Sequence, residues 1–140
     1  MSLERFCRKP LVTVAPDETV HHAAQQMSHK HAGSVIVVDP ARRPIGLLTD
    51  RDIVTRVVSP GLDATKMPVR EVMSENVGVA REDALIDEVA LQMRQKGVRR
   101  MPVVDREGKA IGMVTLDDLL VLFSSELGQT AAVIRANRGP

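Results

Sequence analysis

One segment of this chain occurs twice, and the repetition limits the fold more than any other feature. Val37-Val38-Asp39 followed by Ile45-Gly46-Leu47-Leu48-Thr49-Asp50-Arg51-Asp52-Ile53 returns as Val103-Val104-Asp105 followed by Ile111-Gly112-Met113-Val114-Thr115-Leu116-Asp117-Asp118-Leu119. Matched residues stand 66 positions apart. A solenoid needs about three or more repeats to bury a continuous core, so two copies exclude one. A unit of roughly 60 residues is marginal alone, so the two copies are expected to pack on each other about a pseudo-twofold axis. A cleft then runs between them, and whatever one copy offers it, the other offers too.

Each copy reads as strand, helix, strand, strand, helix, which makes the chain an α/β (α+β) protein of two β-α-β-β-α repeats. The first opens with Leu11-Val12-Thr13-Val14, alternating in character and closed by Pro16. Val20, Ala23, Ala24 and Met27 then follow the i, i+3, i+4, i+7 spacing of one helix face, as do Ile86, Val89, Ala90 and Met93. Asp17 or Thr19 can cap the first of these helices and Asp83 the second. The apolar run 34–38 predicts a buried strand, joined to 45–48 through Pro40-Ala41-Arg42-Arg43-Pro44; Asp105-Arg106-Glu107-Gly108-Lys109 makes the matching hairpin loop. Gly46 and Gly112 fall inside strands, where glycine weakens packing unless a bulge or a close backbone approach requires it. Each repeat ends in an apolar helix, 53–58 and 119–123. The expected boundaries are 3–60 for the first repeat, 61–68 for the connection, 69–125 for the second repeat and 126–140 for the tail. Leu127, Val133 and Ile134 give that tail no firm period, so a partly helical end is expected, frayed from Asn137 to Pro140. The repeat register is expected to slip once: Val12 corresponds to Val77, with one residue inserted near Asp83.

Composition narrows the functional classes. Among 140 residues, 19 basic side chains stand against 18 acidic ones, so no basic footprint for nucleic acid is visible. Trp and Tyr are absent and Phe6 and Phe123 are the only aromatic residues, which leaves no platform for stacking single strands. A purine held here has to lie between aliphatic side chains. The single cysteine, Cys7, allows no internal disulfide and fits a reducing compartment. No apolar run approaches the ~20 residues that span a bilayer, and the first residues, with Glu4, Arg5, Arg8 and Lys9, lack a signal-peptide core. A cytoplasmic protein with no nucleic-acid or membrane partner is expected.

Thr49-x-x-Asp52 and Thr115-x-x-Asp118 each stand where a strand turns into a helix. Such a pair forms a capping box, the hydroxyl accepting one orphan backbone N–H and the acid reaching back to another. The same place suits a ligand, because a helix N-terminus favours phosphate oxygens and a carboxylate there can take both hydroxyls of a ribose. The two roles are compatible. Arg99 and Arg100 precede the second repeat's buried strand, either as a solvated edge or with a guanidinium turned into the cleft to grip phosphate. Their counterparts are Gly33 and Ser34, so the positive charge comes from one side only. His21, His22, His29 and His31 have no matching ligand spacing in the second half and read as surface residues rather than a metal site. Asp50-Arg51-Asp52 has no accompanying nucleophile–base pair, and no Walker-type or glycine-rich phosphate loop is present. No catalytic residues are expected.

A doubled unit with strand-Val-Val-Asp, a loop, and Ile-Gly-hydrophobic-hydrophobic-Thr-x-x-Asp-hydrophobic resembles the cystathionine-β-synthase (CBS) domain pair, the Bateman module. The resemblance covers about residues 3–125. Leu48-Thr49-Asp50-Arg51-Asp52-Ile53-Val54 with Gly61-Leu62-Asp63, and Val69-Arg70-Glu71-Val72-Met73-Ser74, are similar to small stand-alone bacterial and archaeal members. Ile36 departs from the pattern, standing where Pro102 matches the family's Leu-Pro-Val-Val-Asp. The resemblance implies a non-catalytic regulatory module that needs no cofactor. The same resemblance implies an adenosine-containing effector such as AMP, ADP, ATP, S-adenosylmethionine or NAD bound between the repeats. It also implies a flat homodimer and a regulated partner protein. Carried onto this sequence, Thr115 and Asp118 face Val12, Thr13, Ala32 and Gly33, with Arg99 or Arg100 at the phosphates. Thr49 and Asp52 face Val77, Gly78, Val98 and Arg99, with Gly33 and Ser34 opposite. The cleft of Thr115 and Asp118 is expected to prefer phosphate, and that of Thr49 and Asp52 to be weaker or empty. The alternative is a structural dimerisation protein whose Thr-x-x-Asp motifs only cap helices.

Overall fold

The structure, a computed structural model, describes residue 3 and residues 11–137. Phe6, Cys7 and the end of the tail, 138–140, lie outside the described residues. Strand β1 (Thr13–Val14), helix α1 (Val20–His29), strands β2 (Ser34–Val38) and β3 (Pro44–Thr49) and helix α2 (Asp50–Ile53) form the first repeat. Strand β4 (Ala80–Arg81), helix α3 (Ile86–Lys96), strands β5 (Arg100–Val104) and β6 (Ala110–Thr115) and helix α4 (Leu116–Asn137) form the second. Each repeat has a three-stranded sheet, β1-β2-β3 or β4-β5-β6, with one parallel and one antiparallel pair. The two β-α-β-β-α units expected from the sequence are thus present.

Strand pairing corrects the expected register. Val14 lies opposite Val37, and Ala80 lies opposite Val103. The offset of 66 therefore holds through β1 and β4: Val12 corresponds to Gly78, not Val77, and no residue is inserted near Asp83. Asp83 is the true counterpart of Asp17, and neither caps a helix. Thr19 caps α1 by accepting the His22 N–H at 3.1 Å, whereas Asp17 pairs with Arg70. Leu85 stands at the corresponding place on α3; it offers no side-chain acceptor, and only Glu88 reaches back, to the Leu85 N–H. Asp83 instead pairs with Arg81 at 2.9 Å.

Two cores result, and each borrows from the other repeat. Val14, Val20, Met27, Val35, Val37 and Leu48 build the first, and Val57, Val69 and Val72 complete it. Ile86, Val89, Met93, Met101, Val103 and Val114 build the second, together with Leu119, Leu122 and Leu3. Leu3 and Val69 are repeat counterparts, 66 positions apart, and both are fully buried. So Leu3 of the first repeat and Val69 of the second each plug the core of the other repeat. The chain leading to Val69 is held to the first repeat by backbone bonds: Val20 N–H to Met67 O, His21 N–H to Ala64 O, and Val69 N–H to Glu18 O. A third cluster, of Ile36, Leu47 and Ala110 with Met113 beside them, joins the two sheets.

Beyond Ile53 the first repeat's terminal helix continues as a π-helical segment, Val54–Val58. The second repeat's helix runs without a break to Asn137, so the tail expected to be only partly helical is helical as far as it is described. From Leu116 to Ala136 it has the length and apolar composition of a bilayer-crossing helix, a match that counting unbroken apolar runs does not register. Its first turns are fixed in the second core by Leu119 and Leu122; Leu127, Val133 and Ile134 are exposed.

Candidate functional site

Both Thr-x-x-Asp motifs form reciprocal capping boxes at the ends of β3 and β6. The Thr49 N–H donates to Asp52 Oδ2 at 3.0 Å, and the Asp52 N–H donates to Thr49 Oγ1 at 3.1 Å. The corresponding bonds between Thr115 and Asp118 are both 3.1 Å. Asp52 has a further neighbour, because Arg56 Nη2 lies 3.5 Å from its Oδ1. Arg56 Nη1 also donates to the Val72 carbonyl at 2.7 Å and lies 3.1 Å from Ser74 Oγ, tying the helix to the chain that enters the second repeat. At the place of Arg56 the second repeat has Leu122, which is buried.

A cavity of about 200 Å³ brings together Thr49, Asp52, Val77, Val98 and Arg99, all placed in one cleft by the sequence, and adds Leu47, Ser74 and Arg100. It adjoins, through Val77, a second hollow of about 330 Å³ lined by Pro44, Ile45, Gly46, Asn76, Gly78 and Val79. The other group of expected residues is divided. Val12 and Ala32 line an aliphatic cavity of about 220 Å³ with Leu11, Ile36 and Met113, and with Lys30 and His31 also in its wall; Ser34, expected opposite Thr49 and Asp52, lines this cavity instead. Thr115 instead lines a hollow of about 190 Å³ with Leu116, Asp117, Arg99 and Arg100. Asp118 is part-buried at its cap, and Thr13 lies in β1 opposite Ile36.

At Gly33 a charged side chain of the second repeat reaches the first. A Cβ at this residue would lie 3.1 Å from Arg100 Nη1, 3.4 Å from Arg100 Nη2 and 3.5 Å from Asp50 Oδ2. The Arg100 guanidinium therefore crosses from the second repeat onto the glycine of the first. The sequence placed these two segments near each other, and the structure does bring them together. It also places both arginines along the cavity of Thr49 and Asp52, so their charge is not reserved for the cleft of Thr115 and Asp118. Arg56, Ser74 and Lys30 were missed. For Arg56 a signal was present, an acid four residues before a base on one helix face. Of the histidines, His21 and His29 are exposed on α1, and His22 lies 3.4 Å from Glu18.

The arrangement can hold a flat apolar group between aliphatic walls, a pair of hydroxyls at a capping carboxylate, and an anion at the Arg100 guanidinium. The family model of the CBS domain matches residues 3–59 and again residues 69–125. The chain is 38% identical over 120 residues to the protein MK0525 of Methanopyrus kandleri, covering 86% of this chain and 61% of that protein. It is 35% identical over 111 residues to the CBS domain-containing protein YhcV of Bacillus subtilis, covering 79% of this chain and 77% of that one. Among solved structures, the CBS domain pair of protein MJ0100 in complex with 5′-methylthioadenosine and S-adenosyl-L-methionine superposes with a TM-score of 0.77 at 26% identity. That match covers 90% of this chain and 98% of the other.

Proposed function

Because the chain belongs to the CBS domain family, as a tandem pair, we propose that it is a non-catalytic regulatory module binding an adenosine-containing ligand between its repeats. The observation that carries this reading is the cavity joining Thr49 and Asp52 of one repeat to Val77, Val98, Arg99 and Arg100 of the next. Aliphatic walls suit an adenine, the capping carboxylates suit ribose hydroxyls, and the guanidiniums suit phosphate. A similar pair holding 5′-methylthioadenosine and S-adenosyl-L-methionine supports the ligand class. In this reading the two clefts take in Val12, Thr13, Ala32, Gly33, Ser34 and Gly78 as well, and Thr115 and Asp118 serve the second as Thr49 and Asp52 serve the first. The ligand acts by differential affinity for two packings of the repeats, which a cytoplasmic homodimer relays to a partner protein.

Thermal unfolding with AMP, ADP, ATP, S-adenosylmethionine, NAD and adenosine tests the proposal. A ligand at 100 times its Kd stabilises the folded chain by about 2.7 kcal/mol. No shift with any of the six would leave the second reading, a dimerisation unit in which Thr49, Asp52, Thr115 and Asp118 only cap helices. The reciprocal caps at both motifs favour that second reading to the extent that they already occupy one oxygen of each acid.

A further inference from the structure

Duplication gave each cleft its own threonine and its own carboxylate, but among the described residues the arginines at the gap come from the second repeat alone. Arg99 and Arg100 line the hollow of Thr49 and Asp52 and also the hollow of Thr115 and Asp117. Their repeat counterparts, Gly33 and Ser34, bring no charge. Glycine at 33 leaves room for Arg100 in the gap, its guanidinium coming within 3.1 Å of where a Cβ would be. Two other described cations in the neighbourhood are engaged or set apart. Arg56 is held by Asp52, the Val72 carbonyl and Ser74, and Lys30 lines the separate aliphatic cavity. Asp50, Asp52 and Asp117 bring carboxylates to the same surroundings.

Resting on the adenosyl-ligand reading, we propose that Arg99 and Arg100 form one anion subsite shared by the two clefts, so that a phosphorylated adenosyl ligand in one cleft weakens binding of the same ligand in the other. The first phosphate takes the guanidinium pair through short charge-assisted bonds. The second then meets carboxylates and a neighbouring phosphate with no cation among the described residues left to pair with. The coupling is reciprocal, because it is a free energy between two sites. A ligand without phosphate makes no use of the subsite and shows no such coupling.

Calorimetric titration of the full chain with AMP and, separately, with adenosine tests this. AMP is expected to bind in two steps whose affinities differ by about 5–150-fold, the usual range of coupling between sites, and adenosine in two steps that do not differ. Asp52→Ala and Asp118→Ala each weaken one cleft, so that AMP fills the other first. In either variant the intact cleft is expected to bind AMP with the affinity of the wild-type first step. Sharing is overturned if one cleft stays weak for AMP in the variant that leaves it intact, since the difference then belongs to that cleft. It is overturned equally if AMP fills two equal sites, or if adenosine binds and AMP does not; in these cases the adenosyl-ligand reading stands. If neither compound binds the wild-type chain, that reading fails and the shared subsite with it. Arg100→Ala, on a half-buried side chain at the gap, is expected to fold and to make the two AMP steps equal; a step difference that persists in it counts against the proposal.

Discussion

A single hydrogen atom on Gly46 is what allows β3 to run beside the chain entering the second repeat. A Cβ there would lie 2.5 Å from Met73 Sδ, 3.0 Å from Met73 Cγ and 3.2 Å from the Ser74 carbonyl oxygen. The last of these is backbone and is fixed by the paired bonds between Leu47 and Ser74, both 2.9 Å. Gly46→Ala is therefore expected to destabilise the protein by about 1–3 kcal/mol, the usual cost of overpacking, seen as a lower denaturant midpoint. At the same scale, Asp52→Ala and Asp118→Ala each remove the acid of a capping box. Each is expected to cost about 0.5–2 kcal/mol in stability and to weaken ligand binding in its own cleft by about 1.5–3 kcal/mol. Stability loss with unchanged affinity in both variants would reduce these acids to caps. The glycine inside β3 and both Thr-x-x-Asp pairs could be read directly from the sequence, because each has a local spacing that only a few backbone geometries satisfy. Arg100 on Gly33 could not: the contact joins residues far apart in the chain, and nothing local fixes which way a long side chain points.

Helices differ in legibility according to how much of them is buried. The faces of α1 and α3 show the period of 3.6 because Val20, Ala23 and Met27, and Ile86, Val89 and Met93, are pressed into cores. The far half of α4 shows no such period because beyond Leu122 the helix leaves the core, and an exposed helix is under no pressure to segregate its apolar residues. The start of α3 went astray for another reason: Asp83 is a good cap by type but sits two residues too early. Leu85 holds the N-cap with its side chain 49% exposed, so replacing it sacrifices little packing. Leu85→Ser restores the acceptor that Thr19 gives α1, and the expected gain is about 0.5–2 kcal/mol in chemical denaturation. In the connection, Thr65 donates from both its hydroxyl and its backbone N–H to Asp63, and these bonds hold the Asp63 carboxyl below its ordinary range. A carboxyl with a lowered folded-state pKa adds stability above its unfolded value and loses it as pH falls through the folded one. The Asp63 resonance is expected to titrate at lower pH in the wild-type chain than in Thr65→Ala.

At the scale of the whole molecule, exposed apolar residues cluster on the helices that end the repeats. Val54 and Val58 on one side and Leu120 and Val121 on the other are all more than half exposed, and Val54 and Leu120 are repeat counterparts. A symmetric pair of chains is the commonest way to cover such a surface, and light scattering at micromolar concentration is expected to give at least a dimer mass. Pseudo-twofold packing was legible from the repeat alone, but the exchange of Leu3 and Val69 was not, since both read as the opening of their own repeat. Leu3→Ala is expected to cost about 2–5 kcal/mol, the range for a buried leucine, and to do so by emptying the core of the repeat it does not belong to. The exchange also separates heredity from folding. The stretch that was copied runs from Leu3 or from Val69, yet a self-sufficient body needs the opening of its neighbour, so neither copy on its own carries everything it needs to stand. A polypeptide severed near residue 60 yields two halves that each hold the other's missing piece, and mixing them is a route to a molecule rebuilt from parts.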